Sequence, residues 1–230
     1  MIKKIFADSE ALARGAAEYF VARRAETVAL SGGSTPKRMF QILAEQFRDQ
    51  MAWEGIQFFW SDERHVPPDD PESNYRMANE ALLSHVNGIV HRIPSENPDA
   101  AAAANEYEQT LVEVTKQTLP RLDLIFLGLG TDGHTASIFP GSEVLHETKH
   151  IVAAPYVEKF KSYRITMTLP LINNAASVVF LVSGADKAEI VKSVFEGGNQ
   201  YPAQAVTPTQ GELIWMLDKD AASKLTGRDE

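Results

Sequence analysis

Apolar and polar positions along the chain follow two periods. Short apolar runs bounded by Gly, Ser, Pro or Asp predict strands at 2–6, 27–30, 56–60, 122–127, 177–182 and 212–217, with shorter extended pieces at 88–92, 151–154 and 164–169. Between them the spacing turns helical. Asp8 or Ser9 can cap a helix that places Leu12, Ala16 and Phe20 on one face, with Glu10 four residues before Arg14. Pro36 suits a first helical position ahead of Met39, Phe40 and Leu43. Residues 74–83 and 187–195 read as helices, 100–116 as a helix with Tyr107, Leu111 and Val114 inward, and a short helix is expected from Asp218. Strands apolar on both faces and separated by helices predict an α/β fold, a mostly parallel Rossmann-like sheet with helices on both faces. No repeat and no linker-like shift in composition interrupts the chain, so residues 1–230 read as one domain.

Composition narrows the function classes. The chain has 230 residues, 44% of them hydrophobic, and no cysteine, which excludes disulfides, thiolate metal sites and a cysteine nucleophile. No apolar run is long enough to span a membrane, and MIKKIFADSE reaches Asp8 before a signal-like core develops, so a cytoplasmic location is expected. The net charge of −9 argues against a nucleic-acid partner. It does not argue against a small anion, because surface charge is screened beyond about 8 Å at physiological salt. The segments 31–38, 61–66, 128–140, 156–164 and 183–192 hold eight basic and six acidic residues, so the excess of acid lies elsewhere.

Parallel sheets gather ligands beyond the carboxyl ends of their strands. Four predicted strand ends lead into SGGSTP at 31–36, SDERH at 61–65, GTDGH at 130–134 and SGADK at 183–187. Together they deliver small, charged and titratable groups to one edge. In SGGSTP, Gly32 and Gly33 let backbone N–H groups turn inward before a helix, with Ser31, Ser34 and Thr35 as further donors: an anion cradle, or else an ordinary strand–helix turn. It lacks the Gly-Lys-Ser/Thr ending of a nucleotide-binding P-loop and the closing glycine of a nucleophile elbow.

Residues 128–133 match G-x-G-x-x-G, but Pro140 stops any following helix within two turns, which argues against a dinucleotide cofactor. His134 can act as a general base, with Asp132 to set its tautomer, or can merely cap the turn. HETKH at 146–150 has the spacing of a helical zinc site, yet Gly141 precedes it and a strand-like run follows. It is expected to be a solvated loop, and no metal is assigned. Arg64, Arg164, Lys187 and Lys192 are the basic candidates for an anionic substrate; His65, His85 and His91 show no ligand spacing.

The segments LSGGSTP, FFWSDERHVPPDDPESNY, LGLGTDGHTASIFPGS, YRITMTLP, VSGADKAEIV and WMLDKDAASKL, in this order from about residue 28 to the C-terminus, resemble the 6-phosphogluconolactonase family. The resemblance implies the fold of the glucosamine-6-phosphate isomerase, ribose-5-phosphate isomerase and CoA-transferase group. It implies hydrolysis of 6-phospho-D-glucono-1,5-lactone to 6-phosphogluconate, in the oxidative pentose phosphate pathway, without a cofactor. The glucosamine-6-phosphate deaminase pattern differs: it has DEY and HIAFNEPGS where this chain has Asp62-Glu63-Arg64 and HTASIFPGS.

The reading on these residues makes His134 the catalytic base, supported by Asp132, with Arg64 or the glycine-turn N–H groups on the oxyanion. The phosphate falls to Ser31, Gly32, Gly33, Ser34 and Thr35 with Lys187 and Arg164, and Asp62 and Gly130 line the site. Which arginine meets phosphate and which the lactone is left open, as is monomer or homodimer. A deaminase and a non-catalytic sugar-phosphate-binding regulator are the alternatives.

Overall fold

In the computed structural model, which describes residues 1–198 and 200–226, seven strands form one parallel sheet. In chain order these are β1 (Ile2–Phe6), β2 (Thr27–Leu30), β3 (Gln57–Trp60), β5 (Ile89–Val90), β6 (Leu124–Leu127), β10 (Ser177–Val182) and β11 (Glu212–Asp218). Their spatial order is β1-β11-β10-β6-β2-β3-β5, and every pairing is parallel. Every residue of the central strands β6 and β10 is buried, as helices on both faces require.

The helices are α1 (Ser9–Arg23), α2 (Ser34–Ile42), α3 (Asn74–Ala81), α4 (Ala100–Thr115), the short α5 (Leu169–Ile172) and α6 (Ala188–Glu196). Asp8 caps α1 by accepting from the Ala11 N–H at 2.8 Å, and the helix buries Leu12, Ala16 and Phe20 as its spacing predicts. Asp99 caps α4 in the same way. Phe20 stacks on Trp53, Phe58 and Phe126, while Phe180 stacks on Trp215 at 3.9 Å.

A second, antiparallel sheet takes up the extended pieces expected at 151–154 and 164–169 and adds residues 62–64 and 156–157, which the hydrophobic pattern does not mark. It joins β4 (Asp62–Arg64), β9 (Ser162–Met167) and β7 (Val152–Ala153) in the order β4-β9-β7, with β8 (Tyr156–Val157) paired to β9 as a hairpin. Its residues come from segments about a hundred positions apart, so only the tertiary fold brings them into register.

Several element ends lie a residue or two from the sequence expectation, and three differences have a structural side. Helix α2 begins at Ser34, so Pro36 is its third residue, where an unpaired N–H is still the rule. The 74–83 helix ends at Ala81 and tightens into a 3₁₀ turn. The helix expected from Asp218 is a run of turns instead, although the Asp218 carboxylate accepts from the Ala221 N–H as a helix cap does; it accepts from the Gly184 N–H as well.

Candidate active site

The sheet order sets β10, β6, β2 and β3 side by side, so the loops from their carboxyl ends meet at one edge. Chain direction across the sheet reverses between β6 and β2, the kind of position where open α/β sheets form their crevices. There a cavity of ≈ 310 Å³ is lined by residues 31–36, Asp62, Arg64, Asn74, Gly130, His134, Ser183 and Lys187, among others. A second cavity of ≈ 430 Å³ adjoins it and shares Asp62, Arg64, His134 and Ala136; Glu72, Phe139, Phe160 and Arg164 complete much of its wall.

The first cavity begins at the cradle. Gly33 has φ +111°, a conformation that glycine alone adopts without strain, and it turns the chain from β2 into α2. Among the described residues no side chain caps α2, so its first N–H groups are left for a ligand. Ser31 Oγ, also buried here, has no partner among the described residues. Thr35 Oγ1 lies 2.7 Å from Ser183 Oγ and ties the cradle to the β10 loop. A Cβ on Gly32 would overlap the Asn74 carboxamide, whose Nδ2 donates to the Asp62 carbonyl at 2.9 Å. Glycine is required at 32 for this close approach.

Glu63 holds the second wall. It is 1% exposed, and its carboxylate accepts from the N–H groups of Arg64, Asn74 and Tyr75 at 2.7–2.8 Å and from Ser73 Oγ at 2.9 Å. Burial pushes its carboxyl above the ordinary carboxylate range, while the four donors pull the other way. The carboxylate fastens β4 to the start of α3, and so sets Arg64 and Asn74 over the cavity. All four partners are donors, and an amide would turn its own N–H against one of them. Glu63→Gln is expected to lower stability by about 1–3 kcal/mol for the donor left unpaired. A lowered thermal midpoint checks this; a wild-type midpoint rejects the clamp.

His134 stands on the glycine turn that follows β6. The Gly130 N–H donates to the His134 carbonyl and the Gly133 N–H to the Gly130 carbonyl, both at 2.9 Å. A Cβ on Gly130 would strike the imidazole. His134 Nδ1 is hydrogen-bonded to Asp132 Oδ1, and Phe139 stacks on the ring at 4.2 Å. Lys159 Nζ lies 3.2 Å from Asp132 Oδ2. Burial pushes the Asp132 carboxyl up, but the hydrogen bonds and charge of His134, with Lys159, outweigh it and bring it to about 2. An ionised Asp132 accepts a proton-bearing Nδ1, which leaves Nε2 as the imidazole's acceptor. His134 lines both cavities and Asp132 lines neither, so the carboxylate supports the ring from behind.

Arg64 and Arg164 face each other in register across β4 and β9. Arg64 donates to the Glu72 carbonyl, and the Arg164 guanidinium lies 4.9 Å over the Phe160 ring. Among the described residues neither forms an ion pair. Burial, then the charge of Arg64, lowers the Arg164 pKa. Two guanidiniums outside any ion pair thus offer donors to an anion on this wall, with Asp62 and Glu72 lining the same cavity. Asp62 beside them accepts from Ser137 Oγ at 2.6 Å. Lys187 reaches the first cavity from the other side, where Gly184, held by Asp218, turns the chain from β10.

The structure thus brings Ser31, Gly32, Gly33, Ser34, Thr35, Asp62, Arg64, Gly130, His134 and Lys187 to one cavity. Arg164 lines the adjoining one, opposite Arg64, rather than the cradle. Asn74, Ser183, Phe139 and Lys159 were not among the expected site residues. Asn74 lies in the SNY of the segment quoted for the resemblance, a signal that was legible. Ser183 and Phe139 also lie in quoted segments and Lys159 in the segment 156–164, but which atoms they touch depends on packing. HETKH runs from the end of a 3₁₀ turn into bends, with the Glu147 carboxylate accepting from the N–H groups of Lys149 and His150, so its histidines share no helical face. Lys192 and the three unassigned histidines line neither cavity.

Residues 6–215 match the sequence family described as glucosamine-6-phosphate isomerases/6-phosphogluconolactonase. A 6-phosphogluconolactonase of Synechocystis sp. is 43% identical over 208 residues, covering 86% of this chain and 84% of its own length. The structure of 6-phosphogluconolactonase from Trypanosoma cruzi superposes with a TM-score of 0.88 at 28% identity, covering 98% of this chain and 97% of that one. A monomeric glucosamine-6-phosphate deaminase of the NagB superfamily, 22% identical, shares the fold with a TM-score of 0.84 over 97% of this chain and all of its own. The family match takes in all four strand-end loops that build the cavity. The chain belongs to the glucosamine-6-phosphate isomerase/6-phosphogluconolactonase family.

Proposed function

We propose that this chain hydrolyses 6-phospho-D-glucono-1,5-lactone to 6-phosphogluconate, with His134 as the base. The observation that carries the reading is the committed Nδ1: Asp132 holds it, so Nε2 is free to take a proton at the junction of an anion cradle and an arginine wall. Water attacks C1 as its proton passes to His134 Nε2. The oxyanion that forms is met by Arg64, common to both cavities, with Arg164 adding positive charge from behind it. The C1–ring-oxygen bond then breaks, and the imidazolium returns the proton to the departing oxygen. The phosphate sits on residues 31–35 with Lys187, which also fixes the ring for attack. Every acid, base and counter-charge in this scheme belongs to the chain.

The deaminase alternative loses support at residues 137–139. Where that pattern places FNE, this chain has Ser137-Ile138-Phe139. Phe139 puts an aromatic ring on His134, and the buried Ile138 replaces an amide. No carboxylate stands there for ring-opening chemistry.

A coupled assay on freshly made lactone, corrected for spontaneous hydrolysis and run beside glucosamine 6-phosphate, tests the reading. Turnover of the lactone alone is expected, and deamination overturns it. Lactone binding without turnover restores the regulator. In the same assay Lys187→Ala is expected to raise KM for the phosphorylated lactone and to spare neutral gluconolactone; equal loss on both removes Lys187 from the phosphate.

A further inference from the structure

The β8–β9 hairpin reaches the site through a tip that the reaction scheme above does not use, beyond Arg164 on β9. Its tip is a defined turn: the Phe160 N–H donates to the Val157 carbonyl at 3.0 Å, the Lys161 N–H donates to the Glu158 carbonyl at 3.2 Å, and Lys161 adopts φ +49°. The turn delivers two side chains to the histidine's surroundings. Phe160 covers Arg164 and meets Phe139 edge-on at 6.0 Å, and Phe139 stacks on His134. Lys159 extends to Asp132 Oδ2 at 3.2 Å. Asp132 is therefore held at both oxygens, Oδ1 by His134 and Oδ2 by Lys159.

We propose that Lys159 is a positioning residue for the reaction: from the hairpin tip it fixes the Asp132 carboxylate and sets the pH at which His134 becomes a free base. The inference rests on His134 being the base. Its physical content is electrostatic. Asp132 by itself favours the imidazolium, and a base that is protonated at working pH is useless. The ammonium on the far carboxylate oxygen offsets part of that negative charge, so the ring sheds its proton at lower pH. Other charged groups face the ring's surroundings: Asp62 and Arg64 from β4, Glu72 from the loop after it, Arg164 from β9 and Lys187 from the turn before α6. They are the same in every variant below. Because Lys159 is 59% exposed, its substitution leaves the core intact, and its effect is open to salt.

The experiment compares Lys159→Arg, Lys159→Met and Lys159→Glu with the wild type. Two readouts are taken, the acid limb of kcat/KM on the lactone and the His134 ring titration by NMR, identified by the resonance lost in His134→Ala. Lys159→Met is expected to move both upward by about 0.3–0.5 pH unit at low salt, the size for one unit charge in water-like surroundings. Lys159→Glu is expected to move them about twice as far, Lys159→Arg to leave them in place, and about 1 M salt to erase the differences. A purely structural lysine moves stability and neither titration. If ring and acid limb both stay at the wild-type pH in Lys159→Glu, the proposal is overturned. A ring that shifts while the acid limb stays removes His134 from the base role and the proposal with it, so the two failures read differently.

Discussion

His134→Ala is expected to cut lactone hydrolysis by about 10²–10⁴-fold above the spontaneous background, the usual range for a positioned general base. The loss falls on kcat, because the ring accepts a proton only as water attacks, while phosphate binding by the cradle and Lys187 is unaffected. The fold survives the substitution for a specific reason. The bonds that close the glycine turn, from Gly130 to the His134 carbonyl and from Gly133 to the Gly130 carbonyl, run through backbone atoms that alanine keeps. The side chain itself is a quarter exposed and loses only the Asp132 contact and the stack on Phe139. Steady-state kinetics on fresh lactone with a melting curve separate the outcomes. A folded variant with near-wild-type kcat sinks the base assignment.

Arg64→Ala is the second large effect, expected at about 10²–10³-fold in kcat, the scale for losing one donor aimed at an oxyanion. Arg64 is placed by backbone rather than by its own side chain: β4 pairs with β9, and Glu63 ties the strand to α3. Its removal leaves that frame standing. Arg164, opposite in register, is then freed of a like charge but remains under Phe160 in the adjoining cavity, so it is not expected to take over. If Arg64→Ala raises KM and leaves kcat unchanged, Arg64 binds the ground state and the oxyanion belongs to the N–H groups of the glycine turn.

Much of this site is legible in the chain before it folds. SGGSTP and GTDGH each follow an apolar run, and a parallel sheet sends such segments to one edge whatever its strand order. Asp132 and His134 are two residues apart on one tight turn, so their contact is local and the sequence alone implies it. The strand runs at 27–30 and 177–182 coincide with β2 and β10 for the same reason: a buried parallel strand is a short, wholly apolar word. Ends were less legible. Asp218 has the look of a helix cap and makes the cap bond to the Ala221 N–H, yet turns follow it, and its carboxylate also holds Gly184 of the neighbouring β10 loop.

What sequence could not supply is the pairing of the second sheet: 151–154 and 164–169 read as extended, but not as partners of one another or of residues 62–64. DERH reads as a polar loop beyond a strand. It becomes β4 because β9, a hundred residues on, offers it backbone partners, and that pairing puts Arg64 opposite Arg164 and both against the same cavity. Glu63 has no role of its own in SDERH as a sequence; burial with four donors makes it the clamp. Lys159 counts in the sequence only as one basic residue of the segment 156–164, and folding makes it Asp132's second partner. Local pattern thus determined the strands, the anion cradle and the histidine with its carboxylate, because periodicity, glycine turns and short-range spacing are written within a few residues. The tertiary structure alone decided which charges converge on that histidine, because long-range strand register and burial are properties of residues distant in sequence.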